Sequence, residues 1–394
     1  MATIRAAYLL CRAEPRTNVA QRPATHIEAL DGLRGTAAFS VLLFHFLEFT
    51  TADVAHNPMR HTHLAVDFFF ALSGFVVGHA YDTRRSPTRP PGERMTLTGF
   101  LLRRLVRLHP MVIIGMTFGL ASYLWDPFVA PGPRPSAVMI ALVYALSLVL
   151  APSPCLPHRF GETHCLDAPA WTLLQEYLAN LLYGLMGPRL SQGVLAGLCL
   201  IAATALLLTG LHFGNLSTGW GWGDFWAAPV RLAYPFLAGL WLSRSGLKAR
   251  LPHSYVWLSL GLIAIFTAPY FGKGDGVFEP LCVIVAFPLM LFFGAGETAL
   301  SGPIRAVCRF TGRLSYPLYV IHYPALYIFA HWLWRTHPTP GQVWIVAGSV
   351  YAGAVLTAWL LLVGYDEPLR RFLGRKIAGS PVPAERGPRP AAAA

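Results

Sequence analysis

The chain has 394 residues, of which 54% are hydrophobic and only 13% are charged. This composition excludes a soluble enzyme with an ordinary apolar core and indicates a polytopic membrane protein. The formal net charge of +12 is explained first by positively charged cytoplasmic loops, and nothing else in the sequence indicates binding to nucleic acid.

The two ends of the chain differ from the apolar middle. Residues 1–26 contain an apolar run of only six residues, too short for the core of a signal peptide, so we expect a cytoplasmic arm. Residues 370–394 begin with basic residues and continue as a tail rich in proline and alanine, which is typical of disorder. Residues 27–369 form the predicted membrane domain.

Apolar segments of roughly 15 to 23 residues recur along this domain, and such lengths suit spanning helices. They occupy residues 30–49, 64–81, 111–125, 136–151, 170–187, 194–211, 225–243, 254–271, 279–295, 315–334 and 342–364. The predicted fold is therefore all-α, a polytopic transmembrane helical bundle.

Arginine distribution gives the expected orientation. The arginine-rich loop 82–109 should be cytoplasmic, and so should the basic stretch after the last segment, which places both termini inside. Alternation then makes the loop 153–169 external. An odd number of crossings must separate residues 109 and 153, so we expect about ten spanning helices, with segment 111–125 or 136–151 re-entrant or interfacial.

Two cysteines, Cys155 and Cys165, lie in the loop expected to be external, where an oxidising compartment favours a disulfide. Free thiols are a second interpretation. A metal site that adds His158 and His164 is a third, although the spacing fits no standard zinc pattern.

The first segment carries polar residues at helical spacing. His45 follows Arg34 by 11 residues, about three turns, and Asp31 lies one turn before Arg34, so the three share nearly one face. Polar groups inside a membrane should face the bundle interior or a wet cavity. Asp31 and Arg34 are equally explained as an interfacial pair, and His45 as a satisfied core histidine.

The next two segments also carry polar groups. Asp67 is expected to be an interfacial or cavity acid, and Ser73 with Gly74 to permit close helix packing. In the box RRLVRLHP, Arg104 and Arg107 lie one turn apart, so they either bind lipid phosphate as topology determinants or hold a phosphorylated cofactor. Pro110, which ends this box, is expected to mark the start of the next helix.

Later segments add further candidates. Glu176 lies near the start of a helix, where a carboxylate is either structural or an acid or base. Ser315, Tyr319 and His322 share one helix face, where they either bond across helices or take part in catalysis.

Five boxes in order, LDGLRGTAAFSVLLFHF, VDFFFALSGFVV, RRLVRLHP, AWTLLQEYLANLLYG and RLSYPLYVIHYP, resemble the acyltransferase 3 family of integral membrane acyltransferases. The similarity runs from about Ile27 to Leu369, without the hydrolase domain that some members carry after the last helix. It implies ten helices, a cytoplasmic acyl-CoA donor, usually acetyl-CoA, and an extracytoplasmic carbohydrate acceptor such as lipopolysaccharide or exopolysaccharide. It also implies a bacterial inner membrane protein.

The resemblance assigns roles residue by residue. His45 matches the essential first-helix histidine, Arg34 the arginine of the LDGLRG box, and Arg104 with Arg107 the RxxR motif. Glu176 matches the acid of the WSLxxE box, written here WTLLQE.

The expected chemistry follows. His45 would act as base on the acceptor hydroxyl, Arg34 as oxyanion or CoA-phosphate partner, and Arg104 and Arg107 as CoA ligands. Ser73 is a weak candidate for a covalent acyl carrier. No metal is expected. The rival hypotheses are a proton-coupled secondary transporter, which should show an internal repeat, and a non-catalytic membrane scaffold, which would leave His45 dispensable.

Overall fold

The computed structural model describes residues 27–90, 92–132, 134–297 and 300–377. The helices in chain order are α1 (Glu28–Thr50), α2 (Ala65–Arg85), α3 (Leu97–Leu124), α4 (Ala137–Leu148), α5 (Ala170–Met186), α6 (Gln192–Phe213), α7 (Ala227–Ser245), α8 (Ser254–Phe266), α9 (Asp275–Leu281), α10 (Phe287–Gly294), α11 (Gly302–Thr336), α12 (Pro340–Leu361) and α13 (Glu367–Ile377). Within these residues there is no β-strand, which confirms the all-α prediction. The arm 1–26 and residues 378–394 of the tail lie outside the described residues.

Six helical stretches of the described chain are long and apolar enough to cross a membrane, so this is a multi-pass membrane protein. They are Glu28–Thr50, Arg60–Arg85, Leu97–Leu124, Gln192–Phe213, Gly272–Gly294 and Pro340–Ile377. Two of them run through π-helical turns, Cys282–Ala286 and Leu362–Asp366. Helix α4 has 12 residues, about 18 Å, which is shorter than a hydrocarbon core of about 30 Å. The count of about ten crossings stays a prediction.

One predicted helix boundary is wrong. Pro110 does not begin a helix, because α3 already starts at Leu97, where the Thr96 hydroxyl caps it by accepting from the Gly99 N–H. The arginine- and leucine-rich box before Pro110 has high helix propensity, which carries the helix through the proline. At the other end of the chain, the basic residues 370–377 belong to α13, and the domain boundary at residue 369 stays a prediction.

Helix packing is closest where glycine removes the side chain. Helix α2 packs extensively on α7, and α1 packs extensively on α11. A β-carbon at Gly74 of α2 would overlap the carbonyl oxygen of Phe236 on α7, and a β-carbon at Gly239 would overlap the carbonyl of Ala71. The predicted close helix approach at Gly74 is therefore confirmed.

The two ends of the bundle need names. The arginine end is where α1, α3 and α11 begin, and the loop end is the opposite end, formed by residues 51–64, 149–169 and 214–226. The arginine end is the one predicted from the sequence to be cytoplasmic, and this orientation stays a prediction.

Of the three interpretations of Cys155 and Cys165 in the loop 153–169, the structure agrees with free thiols and not with a disulfide. Cys155 is exposed and Cys165 is buried, and both are free thiols. The Cys165 thiol donates instead to the Pro154 carbonyl at 3.2 Å. The metal interpretation also fails, because both ring nitrogens of His164 already contact Thr163 and Leu150.

Candidate active site

A cavity of about 560 Å³ lies at the arginine end between α1, α2, α3, α5 and α11. Its inner walls are largely apolar and it ends at Val66, Thr172 and Tyr319. Its charged lining consists of six arginines and three carboxylates: Arg34, Arg104, Arg107, Arg309, Arg313 and Arg370 with Asp31, Glu176 and Asp366. A cavity with an excess of guanidinium groups is suited to an anionic ligand.

The six cavity arginines differ in their partners. Five contact a carboxylate, in the pairs Arg34–Asp31, Arg104–Glu176, Arg309–Glu28, Arg313–Glu367 and Arg370–Asp366. Arg107 has neither a carboxylate nor a hydrogen-bond partner anywhere in the described part of the chain. Its guanidinium is therefore the cavity cation that is most available to an incoming anion.

Arg104 and Glu176 form the innermost of these pairs. Arg104 is buried, and its Nη2 lies 2.6 Å from Glu176 Oε1, which also accepts from the Ser73 hydroxyl at 3.0 Å. The contacts hold the guanidinium against the cavity wall. The structure thus brings Glu176 together with Arg104 and Ser73 on the cavity wall. His45 does not line this cavity.

Arg34 fastens α1 to α11. Its Nε donates to the Ser315 hydroxyl at 3.0 Å, and its Nη2 donates to the Gly312 carbonyl at 2.8 Å and to Asp31 at 3.0 Å. Arg34 and His45 are 11 residues apart on α1, about 16 Å along the axis. Of the two roles expected for Arg34, this distance argues against contact with an oxyanion at His45 and leaves contact with the donor phosphates.

His45 lies beyond the closed end of the cavity. Its Nδ1 is 2.8 Å from Glu48 Oε2, and because a carboxylate only accepts, this contact places the proton on Nδ1 and the lone pair on Nε2. The ring stacks on His322 at 5.5 Å and meets the edge of Tyr323 at 5.0 Å. A half-buried imidazole held by a carboxylate has the arrangement of a general base.

His322 connects His45 to the cavity. Its Nδ1 donates to the backbone carbonyls of Tyr319 at 2.7 Å and Leu318 at 3.2 Å, so its lone pair is also on Nε2. That Nε2 is buried and has no hydrogen-bond partner among the described residues. The Tyr319 ring, 5.8 Å from that of His322, separates the cavity from the two histidines. The Tyr319 hydroxyl is fixed by Thr172 at 2.9 Å.

An aromatic patch lies on the loop-end side of His45. It consists of Phe49, Phe160 and Trp334, whose ring centroids are 5.6 to 6.1 Å apart. Trp334 is 48% exposed, and Phe49 and Phe160 are partly exposed. Exposed aromatic faces next to a base are suited to stacking on an uncharged ring.

Buried acids lie behind this patch, outside the spanning helices. Glu162 accepts from the Tyr327 hydroxyl and the Phe160 N–H, and burial raises its pKa. Asp167 is fully buried in the turn before α5, neither of its oxygens has a hydrogen-bond partner within the described residues, and burial raises its pKa well above the usual value. Burial also lowers the pKa of His164 to about 4.

Sequence reasoning found most of the site and missed part of its organisation. Arg34, Arg104, Arg107 and Glu176 do meet on one cavity, whereas His45 lies apart from them. Glu48 was missed, although its position three residues after a histidine on one helix is a usable signal.

Asp67 is not a cavity acid. It forms a fully buried pair with Arg231.

Comparison with known proteins identifies the family of the chain. The profile described as "Acyltransferase domain" matches residues 27–363, which include His45 and all the cavity residues except Asp366 and Arg370. A relative, "Protein 2 in picA locus" from Rhizobium radiobacter, is 29% identical over 204 residues, covering 50% of this chain and 100% of the relative. No solved structure matches. The chain belongs to the acyltransferase 3 family, and it is a membrane O-acyltransferase.

Proposed function

We propose that the enzyme transfers an acyl group, acetyl by default, from acyl-CoA at the arginine end to a hydroxyl of a carbohydrate at the loop end. One observation carries this proposal. The arginine-rich cavity is separate from the His45–Glu48 pair, which lies next to the aromatic patch. In this assignment the arginine end is cytoplasmic, the membrane is the bacterial inner membrane, and the acceptor is an extracytoplasmic glycan such as lipopolysaccharide or exopolysaccharide.

The donor side rests on charge and shape. The phosphates of acyl-CoA bind the guanidinium groups, with Arg107 making the main new contact, because bidentate guanidinium–phosphate pairing is both strong and geometrically specific. The pantetheine arm then lies along the apolar wall toward Tyr319. Arg34 and Arg104 already hold Asp31 and Glu176, so they shape the cavity and contribute positive potential.

The reaction side rests on His45. Its Nε2 takes the proton of the acceptor hydroxyl as that oxygen attacks the thioester carbonyl carbon, and Glu48 holds the ring in the required tautomer. The C–S bond then breaks, and the departing CoA sulfur takes the proton from His45, so the histidine is regenerated. Ser73 donates to Glu176 inside the cavity, so direct transfer is preferred over a seryl intermediate.

The acceptor side rests on the aromatic patch. Sugar rings present apolar C–H faces that stack on aromatic side chains, and Phe49, Phe160 and Trp334 offer such faces. Tyr323 connects this patch to His45, because its ring contacts both Phe49 and His45. The transporter and scaffold hypotheses are not retained, because the family is one of acyltransferases.

The test is transfer of label from radiolabelled acetyl-CoA into cell-envelope glycan, with His45→Ala and wild type at matched membrane expression. His56→Ala is the control, since His56 is an exposed histidine of the loop end that pairs with Asp53 and does not line the cavity. We expect label with wild type and the control and a loss of at least 100-fold with His45→Ala. Equal labelling by all three would show that His45 is structural, and no labelling by wild type would refute the acetyl donor.

A further inference from the structure

A buried cluster at the loop end plays no part in the proposed reaction. His61 and His63 lie on the short turn Arg60–Leu64 that precedes α2, and Asp275 and Glu279 lie one turn apart on α9. His61, Asp275 and Glu279 are 0%, 3% and 1% exposed. We call these four residues the histidine–carboxylate cluster.

The hydrogen bonds of this cluster need more positive charge than two neutral histidines supply. The His61 ring nitrogens face Glu279 Oε1 at 2.8 Å and the Pro269 carbonyl at 3.2 Å. The His63 ring nitrogens face the Arg60 carbonyl at 2.9 Å and Glu279 Oε2 at 3.1 Å. All four partners are acceptors, but each neutral imidazole has only one N–H. Each of the two contacts with Glu279 therefore needs an extra proton or a cation between the two atoms.

The backbone carbonyls decide which nitrogens carry the protons. With Nε2–H of His61 on the Pro269 carbonyl and Nδ1–H of His63 on the Arg60 carbonyl, both remaining lone pairs point at the Glu279 carboxylate. A histidine whose second nitrogen donates to a backbone carbonyl is the usual arrangement around a protein-bound metal. A third backbone contact, from the Leu216 N–H, orients the Glu279 carboxylate itself.

Distances and charge agree with a cation at this position. The ligand atoms of His61, Asp275 and Glu279 lie within 4.8 Å of one another. The His63 Nε2 contacts Glu279 Oε2 at 3.1 Å and lies outside this group of three ligands. The Glu279 and Asp275 carboxylates neutralise a divalent charge.

We propose that the histidine–carboxylate cluster binds one divalent transition metal ion, with zinc as the preferred ion, through His61, Asp275 and Glu279. His63 lies beside this site and contacts the second oxygen of Glu279. Imidazole and carboxylate are the ligand types that zinc takes in four-coordinate sites. His63 is 13% exposed in its side chain and provides the opening to solvent.

The ion would be structural. It joins the turn before α2, the loop after α6 and the beginning of α9, three segments that are distant in the sequence. The expectation of no metal came from reading short motifs, and here the two histidines are separated from the two carboxylates by more than 200 residues. The residues of the cluster do not line the cavity at the arginine end. Metal binding by the cluster can therefore be measured without any acyl-transfer assay.

The test is zinc binding by the full-length chain in detergent. Wild type, Glu279→Gln, His61→Ala and the control His56→Ala are stripped with EDTA, re-equilibrated with zinc chloride, and measured by mass-spectrometric metal analysis, calorimetric titration and thermal unfolding. We expect one zinc per chain for wild type and control, binding weakened at least tenfold in Glu279→Gln and His61→Ala, and a zinc-dependent rise in the unfolding midpoint only where zinc binds. Glu279→Gln keeps the side-chain shape, so its fold should persist if His61→Ala fails to fold.

The proposal is overturned if wild type binds no more zinc than Glu279→Gln and its unfolding midpoint does not move with zinc. That result would mean that protons alone balance the cluster. Loss of acyl transfer with intact zinc binding would count against the proposed function and leave the metal site standing.

Discussion

Arg107→Ala is the change that most directly tests how the donor is held. Arg107 lines the cavity, and within the described residues it is the cavity arginine without a carboxylate partner. Removing it therefore leaves no buried acid unpaired and should not unfold the bundle. Its effect should fall on the bound donor.

The size of the effect follows from the contact that is lost. A hydrogen bond to a charged group contributes about 1.5–3 kcal/mol, which corresponds to roughly a 10- to 100-fold rise in the KM for acyl-CoA. Because Arg107 is far from His45, the contact is the same in the ground state and the transition state. The kcat should then change little.

Steady-state acyl transfer at varied acyl-CoA concentration gives both constants, and calorimetric titration with CoA gives the affinity without turnover. Arg103→Ala is the matched control, since Arg103 is exposed on the same helix and does not line the cavity. The reasoning is refuted if both variants show the same KM, or if Arg107→Ala lowers kcat while KM is unchanged. Either result would place the donor elsewhere.

Three further predictions concern acids. Glu176→Gln leaves the buried Arg104 with a neutral partner, and we expect about 1.5–3 kcal/mol less stability in thermal or denaturant unfolding. An unchanged midpoint would contradict the pairing. Glu48→Gln should lower kcat by no more than about tenfold, less than His45→Ala, because Glu48 is 44% exposed and its charge is screened. Asp167→Asn should gain stability relative to wild type as the pH rises from 5 to 8. Its raised pKa delays ionisation of the folded carboxyl, whereas the unfolded one ionises above about pH 4, so wild type loses stability relative to Asp167→Asn until the pH passes the raised pKa. Parallel pH profiles would refute this last prediction.

The helices were predictable because their signal is local. Each of the 11 apolar segments overlaps a helix of the structure. Pro110 shows the limit of such reading. A proline is allowed at the first turn of a helix, but local sequence does not say that the preceding arginine-rich box will also be helical and extend the helix by three turns.

The residues of the site were also predictable from the sequence, but the partner of each residue was not. Arg104 and Arg107 are equivalent in the sequence, one turn apart in one motif. The structure distinguishes them because Glu176, 72 residues away from Arg104, pairs with only one of the two. The same holds for His61 and Glu279, whose contact spans 218 residues and leaves no trace in local spacing.

The division of charge along the bundle also argues for an enzyme over a transporter on physical grounds. A transporter must offer one site alternately to both sides, whereas here the charged cavity ends at the Thr172–Tyr319 hydrogen bond and does not reach the aromatic patch. Phosphates would stay with the arginines, because moving such charges through the apolar interior is costly. An uncharged acyl group has no such barrier, and Tyr319 both lines the cavity and contacts the His322 ring. The barrier that retains the donor therefore permits transfer of its acyl group to the side where His45 lies.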